Sequence, residues 1–233
     1  PTIDIQEIEL SRIGVIIPAY QAEATIDSLI TSLHTLGFPK KNIIVIDDGS
    51  TDETYNIAKN LGVRVLQHQK NQGKGAALTT GFKYVITTDL NAVITLDADK
   101  QHLSYEILNF LKIFSPAGPD LILGNRLKKT KGMPFIRLLT NQITSLVVSL
   151  LIGKRVPDSQ CGFRLIRTGL LKKVKTKTSH YEAESELIVR AGRKYFNIHS
   201  VPITTVYTGS KSYINPLVDT LRFTVMAIKC LLR

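Results

Sequence analysis

The sequence predicts an α/β fold: a mostly parallel central sheet covered by helices, completed by amphipathic C-terminal helices. Three observations carry this expectation. Short runs such as "NIIVID" and "AVITL" are apolar throughout rather than alternating, which is the pattern of strands covered on both faces. These runs alternate with segments of helical periodicity, as βαβ units do. The apolar runs also break off into acidic or glycine-containing turns, and in such sheets the ligand lies beyond the carboxyl ends of the strands.

Each element has its own signal. Residues 13–20, "IGVIIPAY", form a first strand that stops at Pro18. Residues 22–36 repeat apolar side chains at helical spacing and close on Gly37. Residues 42–50 hold a second strand, and 51–62 a helix with Thr51 in the N-cap position. "VRVLQH" (63–68) is a third strand, after which "NQGKGAALTTGFKYVI" passes from a glycine loop into a helix. "AVITLD" (92–97) is a fourth strand, "LSYEILNFLKIF" another helix, and "DLILGNR" (120–126) a fifth strand. Beyond it come a basic linker, an apolar helix (135–153), the loop "VPDSQCGFRLI", the helix "YEAESELIVRAGRKY", the strand "IHSVPITTVY" and a C-terminal helix (215–233). The expected organisation is one domain: a half for residues 1–126, a second half for 127–214, and the amphipathic helix 215–233.

Charge divides the chain in the same way. Residues 1–120 carry 10 Lys/Arg against 14 Asp/Glu, whereas 121–233 carry 20 against 5, within a net charge of +11. A basic half points to an anionic partner such as a phosphorylated substrate or an anionic membrane surface. Nucleic acid is disfavoured, because aromatics are not interleaved with the basic residues and no nucleic-acid motif is present. Cys161 and Cys230 match no metal or redox spacing, which fits a reducing compartment.

Residues 1–12 alternate apolar and acidic side chains, unlike a signal peptide. The two most apolar segments, 135–153 and 215–233, are each broken by polar or charged residues. They suit either a membrane interface or cover for the sheet. The expectation is a cytoplasmic-side protein held peripherally at a membrane.

The strand ends carry the chemistry. Asp97-Ala98-Asp99 brings two carboxylates to one locus, a hard-oxygen set for Mg²⁺ or Mn²⁺, and Gln101 can supply a third oxygen. Asp47 and Asp48 end another strand and suit a ribose or base, or else the Gly49-Ser50 turn. The loop before residue 75 offers backbone N–H groups and Lys74 to a phosphate, although the P-loop spacing is absent. Arg126, at a strand end, suits a pyrophosphate clamp.

With these residues in place, the sequence resembles glycosyltransferase family 2, whose members have the GT-A fold, and within it the polyprenyl-phosphate (dolichyl-phosphate) mannose and glucose synthases. The resemblance rests on "VIIPAYQAEATI", "IIVIDDGSTDET", "NQGKGAAL", "TLDADKQH", "LILGNR", "DSQCGFRLI" and "YEAESELIVRA", which occur in that order over residues 13–191. It implies a first nucleotide-binding loop at Pro18, Ala19, Tyr20 and Glu23, with Asp47 and Asp48 near base and ribose. Lys74 and Asp97-Ala98-Asp99 join the nucleotide-sugar site, with Asp97, Asp99 and Gln101 as metal ligands. Arg126 lies near the donor phosphates, Glu182 and Glu184 beside the acceptor, and Lys211 on a distal basic position near phosphate. Two departures stand out: Gln21 replaces the usual Asn of the first loop, and the distal motif is "TGSKS", without an arginine.

The implied reaction is inverting transfer of a hexose from a nucleotide sugar, GDP-mannose or UDP-glucose, to a polyprenyl or dolichyl phosphate. Asp99, Arg126, Glu182 and Glu184 are the expected catalytic group. Lys128, Lys129, Lys131, Arg137 and Arg164 are candidates for the acceptor phosphate. Two other enzymes share these features: a family 2 transferase acting on a glycan or glycolipid hydroxyl, with Glu182 or Glu184 as base, and a sugar nucleotidyltransferase. A non-catalytic sugar-nucleotide or lipid-binding module is the remaining alternative.

Overall fold

The structure, a computed structural model, describes residues 10–128, 133–204 and 216–231. Seven strands form one sheet in the order β3-β2-β1-β4-β6-β5-β7. β1 (Ile13–Ala19), β2 (Ile43–Asp47), β3 (Arg64–Gln67) and β4 (Ala92–Thr95) are parallel, as are β5 (Leu121–Asn125) and β7 (Ile198–Pro202). β6 (Arg164–Arg167) lies between β4 and β5 and runs antiparallel to both. The chain lays β2 on one side of β1 and β4 on the other. The crevice beyond β1 and β4 is therefore a topological switch point, where α/β sheets bind ligands.

The continuous apolar runs are explained by burial on both faces. β2 is buried at all five positions and β4 at all four. One face packs on α1 (Glu23–Thr35) and α4 (Ile107–Leu111) through residues such as Ile26, Leu33 and Phe110. The other packs on α3 (Lys74–Val85) and α7 (Glu182–Arg193) through Ala77, Leu78, Leu187 and Ile188. Each of the larger side chains among these contributes about 1.5–3 kcal/mol relative to exposure. α5 (Phe135–Ile152) and α8 (Pro216–Leu231) lie outside this layer, in contact with α7 and with each other.

Several boundaries differ from expectation. β1 continues through Pro18, which pairs in register with Ile46; proline lacks an N–H, but its carbonyl can still accept from a neighbouring strand's N–H. α2 (Thr54–Asn60) starts later than Thr51; Asp52 accepts from Thr54 N at 3.1 Å and shapes its start. The last three residues of the loop expected over 156–166 belong to β6, which leads into α6 (Thr168–Lys173). The expected strand at 198–207 is described to Pro202.

Candidate active site

Gln21 explains the departure in the first loop. It adopts a left-handed backbone (φ 51°), uncommon for a residue with a side chain. Its N–H donates to Ser50 Oγ at 3.0 Å, and its Oε1 accepts from Thr51 N at 2.8 Å. The loops after β1 and β2 are thereby tied. Glu23 adds to the tie, accepting from Glu53 N at 3.1 Å. Tyr20 stands exposed at the rim, while Ala19 is buried and its carbonyl accepts from Asp48 N at 2.8 Å.

Asp47 and Asp48 correct the expectation that both face a nucleoside. Asp47 is fully buried, accepting from Ser50 N at 3.2 Å and Gln67 Nε2 at 3.0 Å. Asp48 accepts from His68 Nδ1 at 2.6 Å, Gln72 N at 3.0 Å and Gly73 N at 2.8 Å. Their carboxylates hold the loop in shape. The same bonds use up two of the glycine-loop amides expected at a phosphate, and Ala76 N donates to Ser179 O at 2.8 Å. Gly49 (φ 73°) permits the turn; a Cβ there would lie 2.5 Å from the Lys70 carbonyl carbon.

The acidic cluster sits beyond β4. Lys74, the first residue of α3, places its Nζ 2.7 Å from Asp97 Oδ1 and 3.2 Å from Glu184 Oε2. Burial pushes the Asp97 carboxyl up, but Lys74, then His102 and Arg126, outweigh it and hold it at about 2. Burial, and then the neighbouring Asp97, push the Asp99 carboxyl up, with Arg137 among the charges that oppose the rise. Arg137 opens α5, so its influence brings an expected acceptor residue into electrostatic reach of the cluster. Asp99 Oδ1 accepts from Gln101 N at 3.0 Å, across a turn in which Lys100 is left-handed (φ 58°).

Glu182 and Glu184 stand in the first turn of α7 and are both buried, with no hydrogen-bond partner for Glu182 Oε2 or Glu184 Oε1. Carboxylates are favoured at a helix N-terminus, and the α3 and α7 N-termini meet here. Gly75 makes the approach possible, since a Cβ on it would lie 2.5 Å from His180 O.

Arg126 does not present an open guanidinium. It is 4% exposed, and its Nε and Nη2 donate to Asp158 at 2.8 and 2.9 Å, a fork-to-fork pair. Arg164 is a further correction: it is 1% exposed and donates to Cys161 O, Ser159 O and Glu184 O at 2.8, 3.0 and 2.6 Å. It knits the 158–163 loop to α7 and is closed to an acceptor phosphate. Lys129, Lys131 and Lys211 lie outside the described residues, as does the side chain of Lys128.

Sequence reasoning missed Asp158 and Gly162, both within "DSQCGFRLI". Because β6 is antiparallel, its start lies on the same edge as the ends of β4 and β5. Gly162 is held there by Thr95 Oγ1 donating to its carbonyl at 2.7 Å. A Cβ at Gly162 would lie 2.7 Å from both Asp97 Oδ2 and Lys74 Nζ. The motif was visible, but the reversal that aims it at the cluster was not.

Among the described residues, no three His, Cys, Asp or Glu side chains are grouped to hold a metal. Asp97 and Asp99 nevertheless fit Mg²⁺ or Mn²⁺, which Mg²⁺ sites in particular hold through one or two carboxylates completed by substrate phosphate and water. The raised Asp99 carboxyl marks negative charge that a cation would relieve. Gln101 is half-buried in the same turn.

α5 and α8 expose apolar side chains, and α5 carries Arg137, which reaches Asp99 electrostatically. Phe135, Ile136, Leu139, Ile143, Leu146 and Leu150 form a stripe along α5, from 46% to 76% exposed. Leu221, Val225 and Ile228 on α8, a helix in contact with α5, are exposed as well. The opposite face of α5 is anchored through Ser145, which accepts from Ser159 N at 2.9 Å, and through Val148. By length and composition α5 is also the one helix among the described residues apolar enough to cross a membrane.

Comparison with known proteins agrees with this geometry. The model for "Glycosyl transferase family 2" matches residues 14–175. The chain is 32% identical over 218 residues to UDP-N-acetylglucosamine–dolichyl-phosphate N-acetylglucosaminyltransferase of Methanococcus voltae, covering 84% of this chain and 86% of that one. It is 28% identical to polyprenol monophosphomannose synthase of Mycolicibacterium smegmatis, covering 83% of this chain and 77% of that one. In fold it resembles glucosyl-3-phosphoglycerate synthase of Mycobacterium tuberculosis, solved with Mn²⁺, UDP and glucosyl-3-phosphoglycerate. The TM-score is 0.73 at 23% identity, over 100% of this chain and 84% of that one.

Proposed function

This chain belongs to glycosyl transferase family 2 and is a glycosyltransferase of GT-A fold, and from that premise we propose that it moves a sugar from a nucleotide donor to a polyprenyl or dolichyl phosphate at a membrane surface. The observation that carries the acceptor is the exposed apolar side chains of α5 and α8, together with Arg137 in the first turn of α5 within electrostatic reach of Asp99. A lipid surface is the partner for such a face, and a phosphate at the end of the lipid would meet Arg137. The two curated relatives name the same acceptor class and different sugars. The acceptor is therefore the better-supported half of the reading, and the donor is a nucleotide sugar such as GDP-mannose or UDP-glucose.

The chain's residues divide the work. The tied loops at Gln21 and Ser50 fix the floor of the crevice, and Lys74, at the head of α3, is the cation within reach of a donor phosphate. Asp97 and Asp99, with Gln101, would hold Mg²⁺ or Mn²⁺, which when bound supplies positive charge for the departing diphosphate. Arg126, oriented by Asp158, adds a fixed positive potential at the same edge. A phosphate oxygen is already ionised near neutral pH and attacks the anomeric carbon without a strong base. Glu182 and Glu184 are then free to orient sugar hydroxyls.

A second reading rests on Glu182, whose buried Oε2 has no partner: with a hydroxyl acceptor this oxygen would serve as the base. The two are separated by supplying labelled GDP-mannose, UDP-glucose or UDP-N-acetylglucosamine with Mn²⁺, and dolichyl or undecaprenyl phosphate. The expected result is label extracted into organic solvent with one donor. Absence of lipid-soluble label with every donor overturns the lipid-phosphate reading, and transfer to a glycan without lipid phosphate favours the second.

A further inference from the structure

Lys74 occupies an unusual place for a residue expected to face a phosphate. Its ammonium bridges carboxylates from two different elements, Asp97 beyond β4 at 2.7 Å and Glu184 on α7 at 3.2 Å. Burial on its own would favour a neutral amine, yet the two carboxylates overcome it and keep Lys74 charged, above the ordinary lysine range. The seat is closed on a third side by Gly162, whose added Cβ would touch both Nζ and Asp97 Oδ2 at 2.7 Å. The backbone of Lys74 is fixed as well, because Gly73 N is held by Asp48 and Ala76 N by Ser179 O. Only the four-carbon stem is left to move.

We propose that Lys74 is a resident counter-ion that occupies Asp97 until a nucleoside diphosphate draws it away, so that the divalent cation loads only together with the nucleotide. The inference rests on the donor-dependent transferase reading and adds an order to it. Asp97 Oδ1 cannot hold an ammonium at hydrogen-bond distance and a divalent ion at bonding distance without strong repulsion between the two cations. A diphosphate at the head of α3 offers the ammonium another anion within reach of its flexible stem. The carboxylate it leaves is then free for the metal that the same diphosphate completes. Glu184 is the tether that keeps Lys74 between the donor-side and acceptor-side carboxylates in the meantime.

The test is Mn²⁺ binding by the full chain, read from the electron paramagnetic resonance of free Mn²⁺, with no acceptor present. Wild type is expected to bind Mn²⁺ weakly alone and much more tightly with UDP or GDP. Lys74→Met is expected to bind Mn²⁺ alone at least ten-fold more tightly, with the gain from nucleotide correspondingly reduced. Lys74→Arg, which keeps the charge, is expected to stay close to wild type. If Lys74→Met does not fold by circular dichroism, Lys74→Gln, which keeps a hydrogen-bond donor without charge, is read in its place. Equal or weaker Mn²⁺ binding in the neutral variant overturns the proposal, as does tight binding by wild type without nucleotide. Transfer is not measured, so failure here leaves the acceptor assignment standing. A negative extraction assay likewise leaves this result untouched.

Discussion

Asp158 is a small residue with a large consequence. Burial pushes its carboxyl up, but the Arg126 guanidinium outweighs this and holds it below the usual carboxylate range. Asp158→Asn removes the charge from the buried pair it forms with Arg126, and breaking a buried ion pair from one side costs about 3–5 kcal/mol. Urea denaturation should record a loss of that order, and a loss under about 1 kcal/mol would mean that the pair is not structural. Gly162→Ala is expected to behave in the opposite way. The atoms its Cβ would meet are the ends of the Lys74 and Asp97 side chains, which can shift, so folding should be little affected. Sugar transfer should fall at least ten-fold because the added methyl pushes aside the Asp97 carboxylate proposed as a metal ligand, and wild-type turnover in this variant would refute the role. Neither residue announced itself in the sequence. Asp97 and Asp99 did, because acids ending an apolar strand call for a cation. Asp158 and Arg126 lie 32 positions apart, and nothing local marks them as partners.

The apolar strands were legible as elements because burial on both faces leaves no polar alternation. β6 was not legible: its four residues begin and end in arginine, and the burial of Arg164 depends on three carbonyl groups that only the tertiary fold supplies. For α5 and α8 the sequence left open whether their apolar faces cover the sheet or meet a membrane, and the structure turns six α5 side chains outward. This gives a prediction about whole helix faces. Ile143→Glu with Leu146→Glu on α5, or Leu221→Glu with Val225→Glu on α8, alters exposed positions only, so stability should change by about 0.5 kcal/mol or less per site. Co-sedimentation with anionic vesicles and formation of lipid-soluble product should both be lost. Retention of vesicle binding in both double variants would show that these faces are not the docking surface.

Across the molecule, stability should decline on acidification in two stages. His102 lies in the core, 6% exposed and 5.3 Å from the Phe163 ring, and burial pushes its imidazole down from 6.5 to about 4 despite the pull of Asp97. The unfolded chain binds that proton first, so stability is complete above pH 6.5 and is lost as pH falls toward 4, by about 3 kcal/mol. Asp97, depressed from 3.8 to about 2, contributes above pH 3.8 and its contribution is lost between that value and 2. Denaturant unfolding at pH 7.0, 5.5 and 4.5 should trace the first stage, and His102→Gln should flatten it. A wild-type profile already flat over that range would contradict the assignment. The reversed strand also bears on how substrates come and go. β6 is stitched between β4 and β5, so residues from the second half of the chain run through the middle of the sheet that carries the first. The two halves cannot swing apart like the jaws of a clamshell without tearing that ladder. Admission of donor and acceptor, and escape of product, therefore fall to side chains and loops at the rim of a rigid platform.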